Sequence, residues 1–419
     1  MLARRCHAAT TRAWTPLLAS SSFLHARRSY IVLAIESSCD DATVALIDRK
    51  PSGPPVLIEH VKDSLDNTAA GGIIPLDARN HHQAVLAPMV RDLMIRHNIS
   101  KPDLLCVTRG PGMIGSLSAG YNLGKGLAVA WDIPFVGVHH MLGHLLTPRF
   151  FQNQDIPQYP FVSLLVSGGH TMLVLSTSTT QHKVLANTLD IAIGDMLDKC
   201  ARELGITGSM IAREMEAFIA ADPDPKTTAL SVPKALQFPN PLQNKQGRTG
   251  ILAYSFAGFI TSLRTFLEKF FPGTARASDL PLEARRELAR RMQNAIFTHV
   301  VTKSKKALEN AFETGLIQTG TGRPLDFVCA GGVASNMTLR SLLVTKLQDK
   351  FPPNSIKYHF PPPKWCTDNA LMIGWAGIEL WETARLQTDL SALPTAKWPI
   401  EEVLDIDGWV PRSEQENKN

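Results

Sequence analysis

Apolar and polar positions along the chain fall into three kinds of pattern. In the first, "IVLAIESSCDDATVALID" (Ile31 to Asp48) sets two apolar, β-branched runs around a cluster of small and acidic residues. That pattern predicts strand, polar turn, strand. "FVSLLVSGGHTMLVLS" (Phe161 to Ser176) repeats it, with Gly168-Gly169-His170 turning the chain. Either alone is an ordinary hairpin. Two of them, each opening a segment of mixed strands and helices, predict two related lobes.

The second pattern is an apolar strand, a glycine turn and a helix. "DLLCVTRGPGMIGSLSAGYNLGKGLAVAW" carries Gly110, Gly112 and Gly115 in a G-x-G-x-x-G spacing. Pro111 stiffens that turn and no clean βαβ unit with a ribose-binding acid follows, so it reads as a tight helix start. "LDFVCAGGVASNMTLRSLL" turns at Gly331-Gly332 and opens a helix near Ser335-Asn336. Backbone N–H groups at such a turn can hold a phosphate or a nucleoside. Glycines placed for close packing explain the turn equally well.

The third pattern is helical spacing. "IAIGDMLDKCARELG" is a helix carrying Asp195 and Asp198, and "PLEARRELARRMQNAIFTHVVTKSKKALENAF" is a long amphipathic helix region. Its Arg285, Arg286, Arg290, Arg291, Lys303, Lys305 and Lys306 suit RNA phosphates or a solvated face, and a solvated face is the commoner case. Between the two, residues 222–250 are rich in Pro, Asn, Gln and Lys and read as a loop. In "HFPPPKWCTDNALMIGWAGIELWETA" the prolines forbid helix up to Lys364, and Thr367 and Asp368 start one. An Asp there usually serves the cap and the helix dipole.

"GVHHMLGHLLTPRF" (Gly137 to Phe150) is apolar enough for a buried helix and places His140 and His144 one turn apart. Imidazoles at that spacing point the same way and can share a metal ion. Coordination needs a third ligand, and without one the pair reads as two partly buried helix histidines.

Composition adds less. The chain has 419 residues, 44% of them hydrophobic and 19% charged, which suits a globular protein of two lobes. No run of about 18 mainly apolar residues is present, so no membrane span and no membrane partner is expected. Six scattered cysteines contain no C-x-x-C pair, against a zinc ribbon and against a disulfide framework. The net charge of +5 resides at the start: Arg4, Arg5, Arg12, Arg27 and Arg28 precede the first acid, Glu36. The remaining body is neutral. An Arg- and Ser-rich, acid-free leader over 1–29 has the composition of a mitochondrial transit peptide, which places the protein in the mitochondrial matrix.

Taken in order, "IESSCDDATVAL", "GPGMIGSLSAG", "HHMLGHLL", "LLVSGGHTMLV", "AGGVASNMTLR" and "CTDNALMIGWAG" resemble the tRNA adenosine threonylcarbamoyltransferase family, from about Ile31 to Trp398. The resemblance implies an α/β fold of the actin-like ATPase superfamily: two ribonuclease-H-like lobes around a nucleotide cleft. The expected division is a leader over 1–29, an N-terminal lobe over 30–158, a C-terminal lobe over 159–374, and a C-terminal helix over 375–419 packed back on the first lobe.

The resemblance also implies a site. His140, His144 and Asp368 match the family's metal ligands, and the ion is one divalent metal, iron or zinc. Leu165, Val166, Ser167, Gly168 and Gly169 match the turn that cradles threonylcarbamoyl-adenylate. Asp198 matches a ribose-binding acid, Ser335 and Asn336 an adenosine contact, and Thr367 lies beside the metal aspartate. The partners implied are tRNA, at adenosine 37 of its anticodon loop, and the adenylate, with a homodimer as a further expectation. The general base is not assignable, and His170 is a candidate by location only. The chain departs from the family at Leu142 and Asp195, where Glu is usual, and at Ile260, where Lys is usual.

Three rivals remain. A sugar or small-molecule kinase binds magnesium through oxygens, which two histidines do not suit. A metalloprotease needs His-Glu-x-x-His, and Leu142 supplies no base. A nucleotide-binding scaffold would keep the cleft and tolerate loss of His140 or Asp368.

Overall fold

The computed structural model describes residues 28–66, 72–151, 155–208, 211–238, 240–242, 250–274, 276–318 and 322–412. Most of the leader expected over 1–29 lies outside them.

The N-terminal lobe contains β1 (Tyr30–Glu36), β2 (Asp41–Arg49), β3 (Val56–Ser64), α1 (Pro75–Arg96), β4 (Leu104–Gly110), α2 (Ile114–Trp131), β5 (Phe135–His139) and α3 (His140–Phe150). The strands form one sheet in the order β3-β2-β1-β4-β5. The first three are antiparallel, and β4 and β5 join β1 in parallel.

The C-terminal lobe contains β6 (Phe161–Val166), β7 (Thr171–Ser176), β8 (His182–Thr188), α4 (Ile193–Glu203), α5 (Ile211–Ala220), α6 (Pro225–Thr228), β9 (Ala253–Tyr254), α7 (Gly258–Phe270), α8 (Leu282–Glu313), β10 (Leu325–Ala330), α9 (Met337–Gln348) and β11 (Ile356–His359). Its sheet runs β11-β10-β6-β7-β8-β9. Read from the other end, β8-β7-β6-β10-β11 has the strand order and directions of the first sheet. The two hairpins are therefore the openings of two ribonuclease-H-like lobes, with β9 added at one edge.

After the second lobe come α10 (Ala370–Glu379), one π turn to Ala384, and the short antiparallel pair β12 (Leu386–Thr388) and β13 (Trp409–Pro411). The helix expected over 375–419 thus begins at Ala370 and ends at Ala384. Arg385 adopts the left-handed conformation, φ 54°, and ends it. Residues 386–411 form a mostly irregular strap.

Three apolar clusters order these parts into layers. One fills the space between α1, α2 and the first sheet. Another lies between the outer helices of the second lobe, α8 chief among them, and the second sheet. The third joins the inner faces of both sheets through α3 and α10, with Val138, Leu142, Met372, Leu165 and Val328 in one buried set. Between two sheets a helix is apolar all round, as "HMLGHLLTPRF" and "ALMIGWAGIE" are. The two histidines of α3 are thereby carried into the seam between the lobes.

Four of the α8 cations, Arg285, Arg290, Arg291 and Lys303, have partners within the protein. Arg285 donates to Leu204 O at 2.8 Å, Arg290 pairs with Asp222 and Glu287, and buried Lys303 reaches Ile251 O at 3.0 Å. Arg291 donates to the carbonyls of Ala229, Val232, Pro233 and Leu236, at 2.8–3.3 Å. Arg290 and Arg291 pin the segment after α5 onto the helix.

Candidate metal centre and nucleotide cleft

β5 ends at His139 and α3 begins at His140, so the helix N-terminus opens at the sheet's carboxyl edge. His139 caps the helix: its Nδ1 accepts from the Met141 amide at 3.1 Å. The His140 and His144 rings meet edge to face, centroids 4.9 Å apart. Leu142 lies on the opposite side of the helix, fully buried in the core.

Asp368 supplies the third donor. Its Oδ1 lies 3.1 Å from His144 Nε2 and 3.6 Å from His140 Nε2. One ligand atom from each of the three falls within 4.8 Å of the others, and among the described residues this is the one such His, Cys, Asp and Glu group. The local alternative for Asp368, a helix cap, is taken by its neighbour. Asn369 is the N-cap of α10, accepting from the Met372 amide at 2.9 Å. Relieved of that task and outside the helix, Asp368 turns to the histidines.

Behind His140 is a second carboxylate that the motif reading missed. Glu36, at the end of β1, is fully buried, with Oε2 3.4 Å from His140 Nδ1. It accepts from the Ser38 amide at 2.7 Å and from the Thr108 hydroxyl. The Ser38 hydroxyl lies 3.0 Å from the same Nδ1. With Nδ1 committed to this oxygen cluster, Nε2 is the nitrogen presented to Asp368. A carboxylate on the far nitrogen is how metal-binding histidines are oriented and made more basic. The available signal was an acid ending an apolar strand.

The charges agree with this arrangement. Burial pushes the His140 ring down, but Glu36 and Asp368 outweigh it and hold its pKa at about 9. Burial raises Glu36 and Asp368, and their histidine neighbours outweigh that, holding both carboxyls below the usual range. Burial and the nearby His140 and His144 lower His170 to about 4. Its ring centroid is 6.2 Å from that of His140, so it borders the site as a neutral ring. Two imidazoles and a carboxylate, one imidazole backed by a second carboxylate, form a donor set suited to zinc or ferrous iron.

The C-terminal lobe supplies the facing wall. Leu165 and Val166 end β6, and Ser167 to His170 form its turn, with the Ser167 amide donating to His170 O at 2.8 Å. Gly168 and Gly169 have open space where a Cβ would be. Two other glycines are there for the opposite reason. A Cβ on Gly194, at the start of α4, would lie 2.8 Å from Gly168 N and Ser167 O. Gly331, φ 99°, packs on the Val166 carbonyl, and Gly332 faces the Thr367 methyl. The Ser167–Gly169 turn, the α4 N-terminus, the Gly331-Gly332 turn and the metal-side loop thus meet in one place. Asp198 is one helical turn beyond Gly194, and burial raises its carboxyl pKa. Asn336 caps α9 through the Thr338 and Leu339 amides, and the Ser335 hydroxyl donates to Gly332 O at 2.7 Å. Both side chains shape the turn, which leaves its backbone for a ligand.

A sequence model of the TsaD family, tRNA N6-adenosine threonylcarbamoyltransferase, matches residues 56–375. The chain belongs to this family. The mitochondrial tRNA N6-adenosine threonylcarbamoyltransferase of Schizosaccharomyces pombe is 35% identical over 406 residues, covering 94% of this chain and 92% of that protein. Two solved structures are more distant. YeaZ from Pseudomonas aeruginosa is 19% identical with a TM-score of 0.24, over 37% of this chain and 64% of its own. A hexokinase is 10% identical with a TM-score of 0.42, over 84% and 85%. The fold assignment therefore rests on the duplicated strand order. Family membership makes the chain a tRNA-modifying transferase and disfavours the kinase, protease and scaffold readings.

Proposed function

We propose that this chain transfers the threonylcarbamoyl group of threonylcarbamoyl-adenylate to N6 of adenosine 37, in mitochondrial tRNAs that read codons beginning with A. The observation that carries the reading is the convergence of His140, His144 and Asp368 beside an open glycine turn, in a chain of this family. The N6 amine attacks the carbamoyl carbon, the bond from that carbon to the phosphate oxygen breaks, and AMP departs with one proton released from N6.

Each residue has a physical task in that step. Gly168 and Gly169 let backbone N–H groups approach the phosphate without a Cβ between. Leu165, Val166 and Ser167 hold the turn at the end of a buried strand. Asp198 is placed for ribose hydroxyls. The backbone at Ser335 and Asn336 borders the adenosine side, and Thr367 lies between it and the metal side. His140, His144 and Asp368 hold one divalent ion, iron or zinc, which when bound supplies Lewis-acid polarisation of the threonylcarbamoyl group. AMP is a good leaving group, so orientation of amine and carbonyl carries much of the rate.

The setting follows from the leader composition and from the mitochondrial relative. We place the protein in the mitochondrial matrix, with tRNA and the adenylate as ligands. No helix among the described residues is long and apolar enough to cross a membrane. A homodimer remains part of the proposal.

The direct experiment incubates the purified protein with the adenylate and unmodified tRNA, then digests the product for nucleoside mass analysis. Threonylcarbamoyl-adenosine is expected from the unaltered protein and not from Asp368→Ala. Intact adenylate in the presence of bound tRNA would return the scaffold reading to first place.

A further inference from the structure

We propose that the C-terminal strap, residues 386–411, is a positioning element for the metal helix, acting through His139. It lies beyond the residues matched by the family model, 56–375, and rests on the metal reading of His140, His144 and Asp368.

The contacts are specific. His139 is fully buried and uses both ring nitrogens. Nδ1 accepts from the Met141 amide, which makes the residue the N-cap of α3, and Nε2–H donates to the Trp398 carbonyl at 2.8 Å. The two bonds demand one tautomer and one ring orientation. The Trp398 ring closes over the imidazole, centroids 4.6 Å apart. Trp398 also meets the Arg109 guanidinium, 5.6 Å from its ring centroid. Arg109 fastens the strap: its side chain donates to Leu393 O at 2.9 Å and Asp407 O at 2.6 Å, and its carbonyl accepts from the Thr395 amide at 2.9 Å.

His139 directly precedes ligand His140. A cap fixes where a helix begins and how its first turn faces. By holding the cap, the strap bears on the direction of the His140 ring through the backbone, while Glu36 acts on the ring itself. Supporting groups of this kind typically change metal affinity by about 10–100-fold.

The test loads Co²⁺ as a probe and follows its release to a chelator, together with its visible absorption bands. His139→Ala is expected to release Co²⁺ at least about tenfold faster with altered bands; Trp398→Ala, which removes the ring beside the imidazole but keeps the carbonyl, is expected to shift both the same way by less; His139→Asn, which keeps a capping oxygen, recovers part of the loss. Unchanged release and unchanged bands in folded Trp398→Ala and His139→Ala would overturn the proposal. Asp368→Ala is run beside them. If it binds Co²⁺ normally, the metal reading has failed rather than the strap. Should the strap variants not fold, hydrogen exchange on the unaltered protein decides. Coupling is reciprocal, so Co²⁺ must slow exchange at the Thr395 amide as well as at Met141. Slowing at Met141 alone would refute the role of the strap.

Discussion

Glu36 and His140 face each other across 3.4 Å, from Oε2 to Nδ1, although 104 positions separate them in the chain. The carboxylate stands on the edge of the ring opposite Asp368. It fixes which nitrogen is offered to an ion. Glu36→Gln keeps the shape and removes the charge. The variant is expected to bind Zn²⁺ about 10–100-fold more weakly while remaining folded, as read by chelator competition and circular dichroism. Wild-type affinity would show that Glu36 is an incidental neighbour.

The same pair gives the metal-free protein a particular pH profile. The folded-state pKa of His140, about 9, lies above the ordinary 6.5, so the folded protein binds this proton more tightly than the unfolded chain does. That stabilisation is complete below pH 6.5 and is lost as pH rises through 9. Glu36 and Asp368 are held below their ordinary values of 4.5 and 3.8, so their contribution is present above those values and fades as pH falls. Urea midpoints of metal-free protein should therefore decline from pH 6.5 to 9, and His140→Gln should remove much of that decline. Metal affinity should move the other way, rising over the same interval, because the ion displaces the proton.

Gly194→Ala tests the cleft from the other lobe. The added methyl would press on Gly168 N and Ser167 O from 2.8 Å, against backbone that has no flexible end to yield. The Ser167–Gly169 turn must shift. Overpacking of this kind costs about 1–3 kcal/mol. Weaker binding of an AMP or adenylate analogue by calorimetry is expected, with Zn²⁺ affinity preserved, since α4 carries no metal ligand. Equal loss of both would mean that the two halves of the site are not independent.

Arg291→Ala addresses the long helix. The guanidinium serves four carbonyls and the buried Glu287 carboxylate, the latter at 2.6 Å. Removing it takes the donor from several part-buried carbonyls and one of two cations from buried Glu287. A loss of about 2–3 kcal/mol is expected, with early proteolysis in residues 229–236. If the arginine instead grips RNA, stability will hold and the salt dependence of tRNA binding will flatten.

Most strands and helices, and much of the constellation, are legible in local pattern. Short apolar, β-branched runs around polar turns marked both hairpins, and the spacing in "HHMLGHLL" put two histidines on one helical face, because these signals are local. Sequence also marked the candidates Ser167, Gly168, Gly169 and Asp368, through the motifs that carry the family resemblance.

Tertiary structure decided which of the competing local roles each residue took. Asp368 reads as a cap until Asn369 is seen in that place. Asn336 caps α9, a role its sequence context did not mark. Nothing near Glu36 in the chain marks its partner, since His140 reaches it only when β1, β4 and β5 lie side by side and α3 is pressed between two sheets. The strap is the extreme case. Its residues carry no periodic signal, and their meaning comes from contacts with His139 and Arg109, more than 250 positions earlier. Contacts of such separation follow from the packing of whole layers, which no window of sequence contains.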